Sequence, residues 1–149
     1  GARVMSLQDP TRKMSKSDGN NNGCGSVLDD PDTIMRKFKR AITDSEACVR
    51  YSDEKPGVKN LMEIYSCITG KGMGEIEEEF AGKGYGDFKP AVAEAVIEEL
   101  RPIQGRFQEI LKDKAYLQQC YEENAAKASA IARRTVQKAM KKIGFLPMR

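Results

Sequence analysis

Phe88-Lys89-Pro90-Ala91-Val92-Ala93-Glu94-Ala95-Val96-Ile97-Glu98-Glu99-Leu100-Arg101-Pro102-Ile103-Gln104-Gly105-Arg106-Phe107-Gln108-Glu109-Ile110 is the stretch whose pattern sets the fold class. Phe88, Val92, Val96, Leu100, Ile103, Phe107 and Ile110 recur at spacings of four, four, four, three, four and three. That is the period of an α-helix and not the alternation of a strand. An apolar stripe kept up for about six turns needs other helices to cover it. Phe88, Val92, Val96 and Phe107 are therefore expected to be well buried, and Pro102 and Gly105 predict a kink.

Working outward, the same period recurs. Asp30-Pro31 has the form of a helix start, with an Asp cap and Pro in the first turn. Ile34, Phe38 and Ile42 follow at i, i+4 and i+8. Thr43 to Pro56 is polar and reads as loop, with Val49-Arg50-Tyr51 briefly extended. Gly57 to Thr69 reads as a helix with Leu61, Ile64, Tyr65 and Ile68 inward, closed by Gly70 in the left-handed conformation. Gly74 to Ala81 reads as a short acidic helix with Ile76 and Phe80 inward. After the long stripe come a short helix over Ala115 to Glu122 and a long one over Ala125 to Ile143. Ala128, Ala132, Val136, Met140 and Ile143 are expected inward on the latter. At the N-terminus, Arg3 to Leu7 reads as a short strand, and Gln8 to Gly25, rich in Asn and Gly, as a mobile loop. The expected fold is mainly α: a helical bundle preceded by a short strand and a mobile loop.

Composition bounds the function. The 149 residues are 40% apolar and 32% charged, which points away from disordered, collagenous and membrane classes. No apolar run approaches the roughly 20 residues that span a bilayer. The opening Gly1-Ala2-Arg3-Val4 is neither a signal peptide nor a start Met, and reads as a piece of a longer chain. There is no His, which removes Ser-His-Asp triads, His metal clusters and His proton shuttles from this chain. Cys24, Cys48, Cys67 and Cys120 form no Cys-x-x-Cys pair, so reduced cytosolic thiols and no metal site are expected. Cys67 and Cys120 sit beside apolar helix positions and read as core thiols.

The net charge of +3 is mild, but its distribution is uneven. Lys127, Arg133, Arg134, Lys138, Lys141, Lys142 and Arg149 follow Asn124 with no acidic residue among them. Such a tail meets phosphates or an acidic surface, or is a solvated helix face.

One segment carries chemistry. Lys13-Met14-Ser15-Lys16-Ser17 places two lysines three residues apart with two hydroxyls between and beside them. Mobile cations and hydroxyl donors of this kind suit a polyphosphate whose charge grows in a transition state. A solvated basic loop is the plain alternative. The segment is not a Walker loop, since the Gly-x4-Gly-Lys-Ser/Thr spacing is absent.

Lys13-Met14-Ser15-Lys16-Ser17 is similar to the full signature of class I aminoacyl-tRNA synthetases. The surrounding sequence resembles the bacterial tryptophanyl-tRNA synthetases in several places: Gly1 through Asp18, Asp30-Pro-Asp-Thr-Ile34, Ala41-Ile-Thr-Asp-Ser45, Lys55-Pro-Gly-Val-Lys-Asn-Leu61, Gly84-Tyr-Gly-Asp-Phe-Lys89, Ala91-Val-Ala-Glu-Ala95 and Lys141-Lys-Ile-Gly-Phe145. The Gly19 to Gly25 stretch is richer in Gly and Asn than that family's pattern. The family's nucleotide-binding Rossmann half, with its His-containing signature, has no counterpart here.

The resemblance implies activation of tryptophan by ATP to tryptophanyl-adenylate and transfer to tRNA(Trp). It implies that residues 1–28 end the catalytic domain and that 29–149 form the helical anticodon-binding region and C-terminal helices. Lys13 and Lys16 would be catalytic, stabilising the departing pyrophosphate. Val4 would border the adenine, and Met14, Ser15 and Ser17 would complete the ATP contacts. Lys37, Arg40, Asp44 and Arg50 are the candidate tRNA contacts, with Arg36 and Lys39 as equal alternatives. ATP as substrate, Mg2+ in the whole enzyme, a homodimer, a cytoplasmic location and no membrane or DNA partner are implied in the same way. The chain alone is expected to be inactive, because tryptophan and most of ATP belong to the other half. Two other classes stay open: a stand-alone helical RNA-binding module, and a helical interaction domain with an incidental lysine loop.

Overall fold

The computed structural model describes residues 3–17 and 19–145. Gly1, Ala2, Asp18 and Arg149, named above, lie outside the described residues. Five helices follow in order: α1 (Pro31–Lys39), α2 (Pro56–Thr69), α3 (Met73–Glu79), α4 (Tyr85–Lys112) and α5 (Lys114–Lys142). The chain divides into two compact units, Gly1–Gln104 and Gly105–Arg149. No described helix is long and apolar enough to cross a membrane.

The first unit holds the core. The Asp30 carboxylate caps α1, accepting from the Thr33 N–H at 2.9 Å and its hydroxyl at 2.7 Å. Ile34 and Phe38 are buried as their spacing requires, but Ile42 lies beyond the helix and is half exposed. Its N–H donates to the Leu7 carbonyl at 2.8 Å, so the chain leaves the helix to meet the N-terminal segment. In α2 the inward face is Val58, Leu61, Met62 and Tyr65, the i, i+3, i+4, i+7 set. Ile64 and Ile68 flank it half-buried, and Cys67 is exposed rather than in the core. Gly70 ends the helix at φ 74°, as its position predicts.

Tyr65, Phe80 and Phe88 join α2, the end of α3 and α4. Their rings meet edge to face, with centroids 5.9 Å apart for Tyr65–Phe80 and 5.0 Å for Phe80–Phe88. The long stripe forms one helix, α4, through Pro90 and Pro102. Phe88 and Val92 are fully buried, and Val96 and Leu100 pack half-buried against the core. Burial stops there: Ile103 and Phe107 are exposed, which corrects the expectation for Phe107.

In the second unit the two expected helices are one, α5, of 29 residues. The Asp113 carboxylate caps it through the Tyr116 N–H at 2.9 Å. No Gly or Pro breaks the chain around Glu122 to Asn124, and the Asn124 amide donates to the Cys120 carbonyl one turn back at 2.8 Å. None of its described residues is buried, so Ala128, Ala132, Val136 and Ile143 are exposed where an inward face was expected. Cys120 and Met140 are half-buried.

Gly57 shows how closely the first unit is packed. A Cβ built there falls 2.0 Å from the Ile42 carbonyl oxygen and 3.0 Å from its carbon. Gly57→Ala would raise intrinsic helix propensity by up to about 1 kcal/mol. The backbone clash reverses that sign, and a net loss of about 2 kcal/mol or more is expected. Urea denaturation of the variant measures it; a stabilised variant would mean that α2 does not press on the 42–43 backbone.

Candidate functional site

The signature loop grows from a short hairpin that is tied to the helices. Met5 and Lys13 form an antiparallel bridge, the only β-pairing among the described residues. Around it the Ser6 N–H donates to the Arg12 carbonyl at 2.9 Å and the Met14 N–H to the Val4 carbonyl at 3.0 Å. The expected strand is thus reduced to one arm of this hairpin. Asn60 of α2 fixes the other edge of Met5. Its carboxamide oxygen accepts from the Met5 N–H and its amide donates to the Met5 carbonyl, both at 2.9 Å. One step on, Leu7 is 2% exposed, and its N–H donates to the Gly23 carbonyl at 3.0 Å. The loop therefore leaves and re-enters the fold at anchored points.

Each residue expected at the nucleotide has a defined place. Val4 and Met14 line an apolar cavity of about 290 Å3 with Ile64, Val96 and Leu100. Met14 packs half-buried against the core, whereas Lys13, Ser15, Lys16 and Ser17 are exposed. The Ser15 and Ser17 hydroxyls are 2.9 Å apart, and the Ser17 N–H donates to the Ser15 oxygen, which tightens the tip. Lys16 lies in a second cleft, of about 410 Å3, with Asn20, Thr33 and Arg36. Lys13 lines neither.

The four candidate tRNA contacts divide into two kinds. Arg40 and Arg50 are exposed. Lys37 is 7% exposed, and its ammonium is held by Asp29 at 2.6 Å and the Cys24 carbonyl at 2.8 Å. Its charge fastens the end of the loop to α1. Asp44 is half-buried in a network with Lys55, Glu46 and Tyr85. The Tyr85 hydroxyl is 2.8 Å from both Asp44 carboxylate oxygens, and Lys55 Nζ is 3.2 Å from Asp44 and 2.5 Å from Glu46. This network holds the segment around Ala47, whose φ of 55° is the left-handed conformation that a side chain disfavours. The strained turn presents Arg50 at the surface.

Titration follows from these contacts. The hydrogen bond that Lys55 donates to Glu46, ahead of the one it donates to Asp44, pushes its ammonium well above the ordinary lysine value against the opposing effect of burial. Burial, with the Asp44 hydrogen bond, pushes Tyr85 up to about 12. Burial alone would raise Asp44, but the Glu46 N–H, Tyr85 and Lys55 together hold it below the usual carboxylate range.

Residues 2–101 match the family described as tRNA synthetases class I (W and Y), and the chain belongs to that family. Within it, the chain is 52% identical over 146 residues to a tryptophan–tRNA ligase of Clostridium acetobutylicum, covering 98% of this chain and 44% of that protein. It is 53% identical to a tryptophan–tRNA ligase of Clostridium tetani, covering 98% of this chain and 43% of that protein. The crystal structure of a tryptophanyl-tRNA synthetase from Mycoplasma pneumoniae superposes with a TM-score of 0.73 at 30% identity, over 97% of this chain and 44% of that one. The chain thus spans less than half the length of the relatives it matches.

Three residues of the site escaped the pattern reading. Asn60 stands between Val58 and Leu61 on the inward face of α2, and a polar residue inside an apolar stripe is the signal for a buried hydrogen-bonding role. Lys55 and Tyr85 carry no such signal, because their partners are 11 and 41 residues from them.

The network has a pH signature. Lys55 and Tyr85 both have raised values in the folded chain, so their contribution is complete below about pH 10 and is lost as pH rises through the folded values. Asp44, held low, contributes above about pH 4 and loses its share as pH falls through its folded value. Denaturation between pH 7 and pH 11.5 should show a falling alkaline limb. Tyr85→Phe should flatten part of that limb and cost about 1–2 kcal/mol at pH 7. An unchanged limb in the variant would remove Tyr85 from the network.

Proposed function

We propose that this chain supplies a tryptophan–tRNA ligase with its signature loop and its tRNA-binding helices. The observation that carries the reading is the intact Lys13-Met14-Ser15-Lys16-Ser17 loop on an anchored hairpin in a chain of the class I family. Residues 1–28 complete the catalytic domain in this reading, and 29–149 carry the tRNA-binding region. The other half of the enzyme holds tryptophan and most of ATP, and a homodimer in the cytoplasm is the assembly expected from the family.

Each residue has a task. Val4 and Met14, lining one apolar cavity, offer apolar contact to the adenine. Lys13 and Lys16, both exposed, reach the triphosphate and stabilise the negative charge that collects on pyrophosphate as tryptophanyl-adenylate forms. Ser15 and Ser17 hold the tip that presents them. Among the described residues no group of three or more His, Cys, Asp or Glu is poised for a metal. Mg2+ is implied by the family for the whole enzyme, and in this reading the chain's own contribution is the two ammonium groups. Arg40 and Arg50 are the exposed tRNA contacts, while Lys37 and Asp44 brace the segments that carry them.

Pyrophosphate exchange tests the reading in a hybrid whose first part comes from the Clostridium acetobutylicum relative and whose remainder is this chain. Lys16→Ala should lower the exchange rate roughly a hundredfold or more, about 2.7 kcal/mol of barrier, with little change in tryptophan affinity. The chain by itself should show no exchange, because charge stabilisation acts only on a substrate already held in place. Robust exchange by the chain alone, or an unchanged rate in the variant, would overturn the assignment.

A further inference from the structure

The second half of α5 gathers cations with no acidic residue among them. The described ion pairs are Lys37–Asp29, Lys55 with Asp44 and Glu46, Lys59–Asp53, Lys71–Glu79, Arg101–Glu98 and Arg106–Glu109. All precede α5. Glu122 and Glu123 are engaged by Gln118 and Gln119 at 2.6 and 2.7 Å. Beyond them come Lys127, Arg133, Arg134, Lys138, Lys141 and Lys142, all exposed, none with an ion pair among the described residues.

Four of these cations form a line. Lys127, Arg134, Lys138 and Lys141 are offset by 7, 11 and 14 residues from the first. At 3.6 residues per turn they fall within roughly 60° of arc and span about 21 Å. Arg134 and Lys138 are four apart and Lys138 and Lys141 three apart, so like charges face each other and repel. No acidic side chain follows Asn124 in the helix, so only the dipole at its C-terminus offsets that repulsion, and a linear polyanion would offset it further. The opposite arc carries Ala128, Ala132 and Ala139 with Val136, Met140 and, at the helix end, Ile143, and no Trp, Phe or Leu. A helix that lies in a membrane surface needs such large anchors, so a lipid partner fits poorly. The family match ends at residue 101 and does not include this helix.

We propose that α5 is an RNA-docking helix whose Lys127, Arg134, Lys138 and Lys141 neutralise tRNA backbone phosphates without reading the anticodon. The choice of tRNA rests on the proposed function; the recognition of a phosphodiester backbone rests on the charge line itself.

The test is the salt dependence of tRNA(Trp) binding to the whole chain, measured with the natural anticodon and with a changed one. A variant with all four cations changed to Gln is compared with one in which Arg101, Arg106, Lys112 and Lys114 are changed to Gln, which lowers net charge equally. Circular dichroism checks that both stay helical. The α5 variant should bind both tRNAs roughly a hundredfold more weakly at low salt, with the slope of log K against log salt reduced by about three. The ratio between the two anticodons should stay as in the unmodified chain, and the control variant should lose little. Equal slopes in the α5 variant and the unmodified chain, or equal losses in the two variants, would overturn the proposal while leaving the tRNA-ligase reading standing. Loss of binding to anionic phospholipid vesicles with tRNA binding unchanged would also overturn it, and would assign the line to a membrane.

Discussion

The Asn60 carboxamide on the backbone of Met5 is the contact on which the arrangement of the site depends. Asn60 is 3% exposed and meets both polar groups of one residue. It stands in for a neighbouring strand and closes an edge that would otherwise leave a partly buried backbone donor and acceptor unpaired. Each orphaned group would cost about 1–3 kcal/mol. The hairpin thereby acquires a fixed height on α2. Next to it Leu7 is buried, and the Leu7 carbonyl accepts from Ile42 just past the end of α1. Lys13 and Lys16 are displayed from a hydrogen-bonded base, which suits the proposed charge stabilisation, because a positioned charge acts on a transition state and a wandering one does not.

Charge is used in two ways in this chain. In the first unit Lys37 and Lys55 are buried, Lys37 held by one carboxylate and a carbonyl and Lys55 by two carboxylates and a carbonyl. Removing one partner there would strand a charge in the interior, so these lysines maintain shape. Lys13, Lys16, Arg40 and Arg50 are exposed, as the proposed contacts with phosphate require. Sequence position does not separate the two kinds: Lys37 and Arg40 are three residues apart and have opposite fates.

The helical class was legible because periodicity is a local property. Phe88 and Val92 lie at the centre of the core, and Asp30, Pro31 and Gly70 mark helix ends as their chemistry dictates. Phe107 and the alanine face of α5 were misjudged because an apolar spacing says which residues share a face, not whether anything covers it. The join of two expected helices into α5 reflects the same limit, since polarity around Glu122 to Asn124 is not a helix stop without Gly or Pro. At the site, the signature loop was plain in the sequence, but its anchoring was not. The Asn60 contact with Met5 crosses 55 residues, and Tyr85 reaches Asp44 across 41. Such pairings are set by how helices pack, which no local pattern encodes.

Amide hydrogen exchange in the unmodified chain and in Asn60→Leu tests the central claim most directly. Leu keeps the branched shape of the side chain and removes both hydrogen bonds to Met5. The account predicts that the Met5, Leu7 and Met14 amides are protected in the unmodified chain and lose about tenfold or more of that protection in the variant. Phe88 and Val92 in α4 should keep theirs. Unchanged protection at Leu7 and Met14 in Asn60→Leu would contradict the account, because the loop would then hold its place without the contact that is said to fix it.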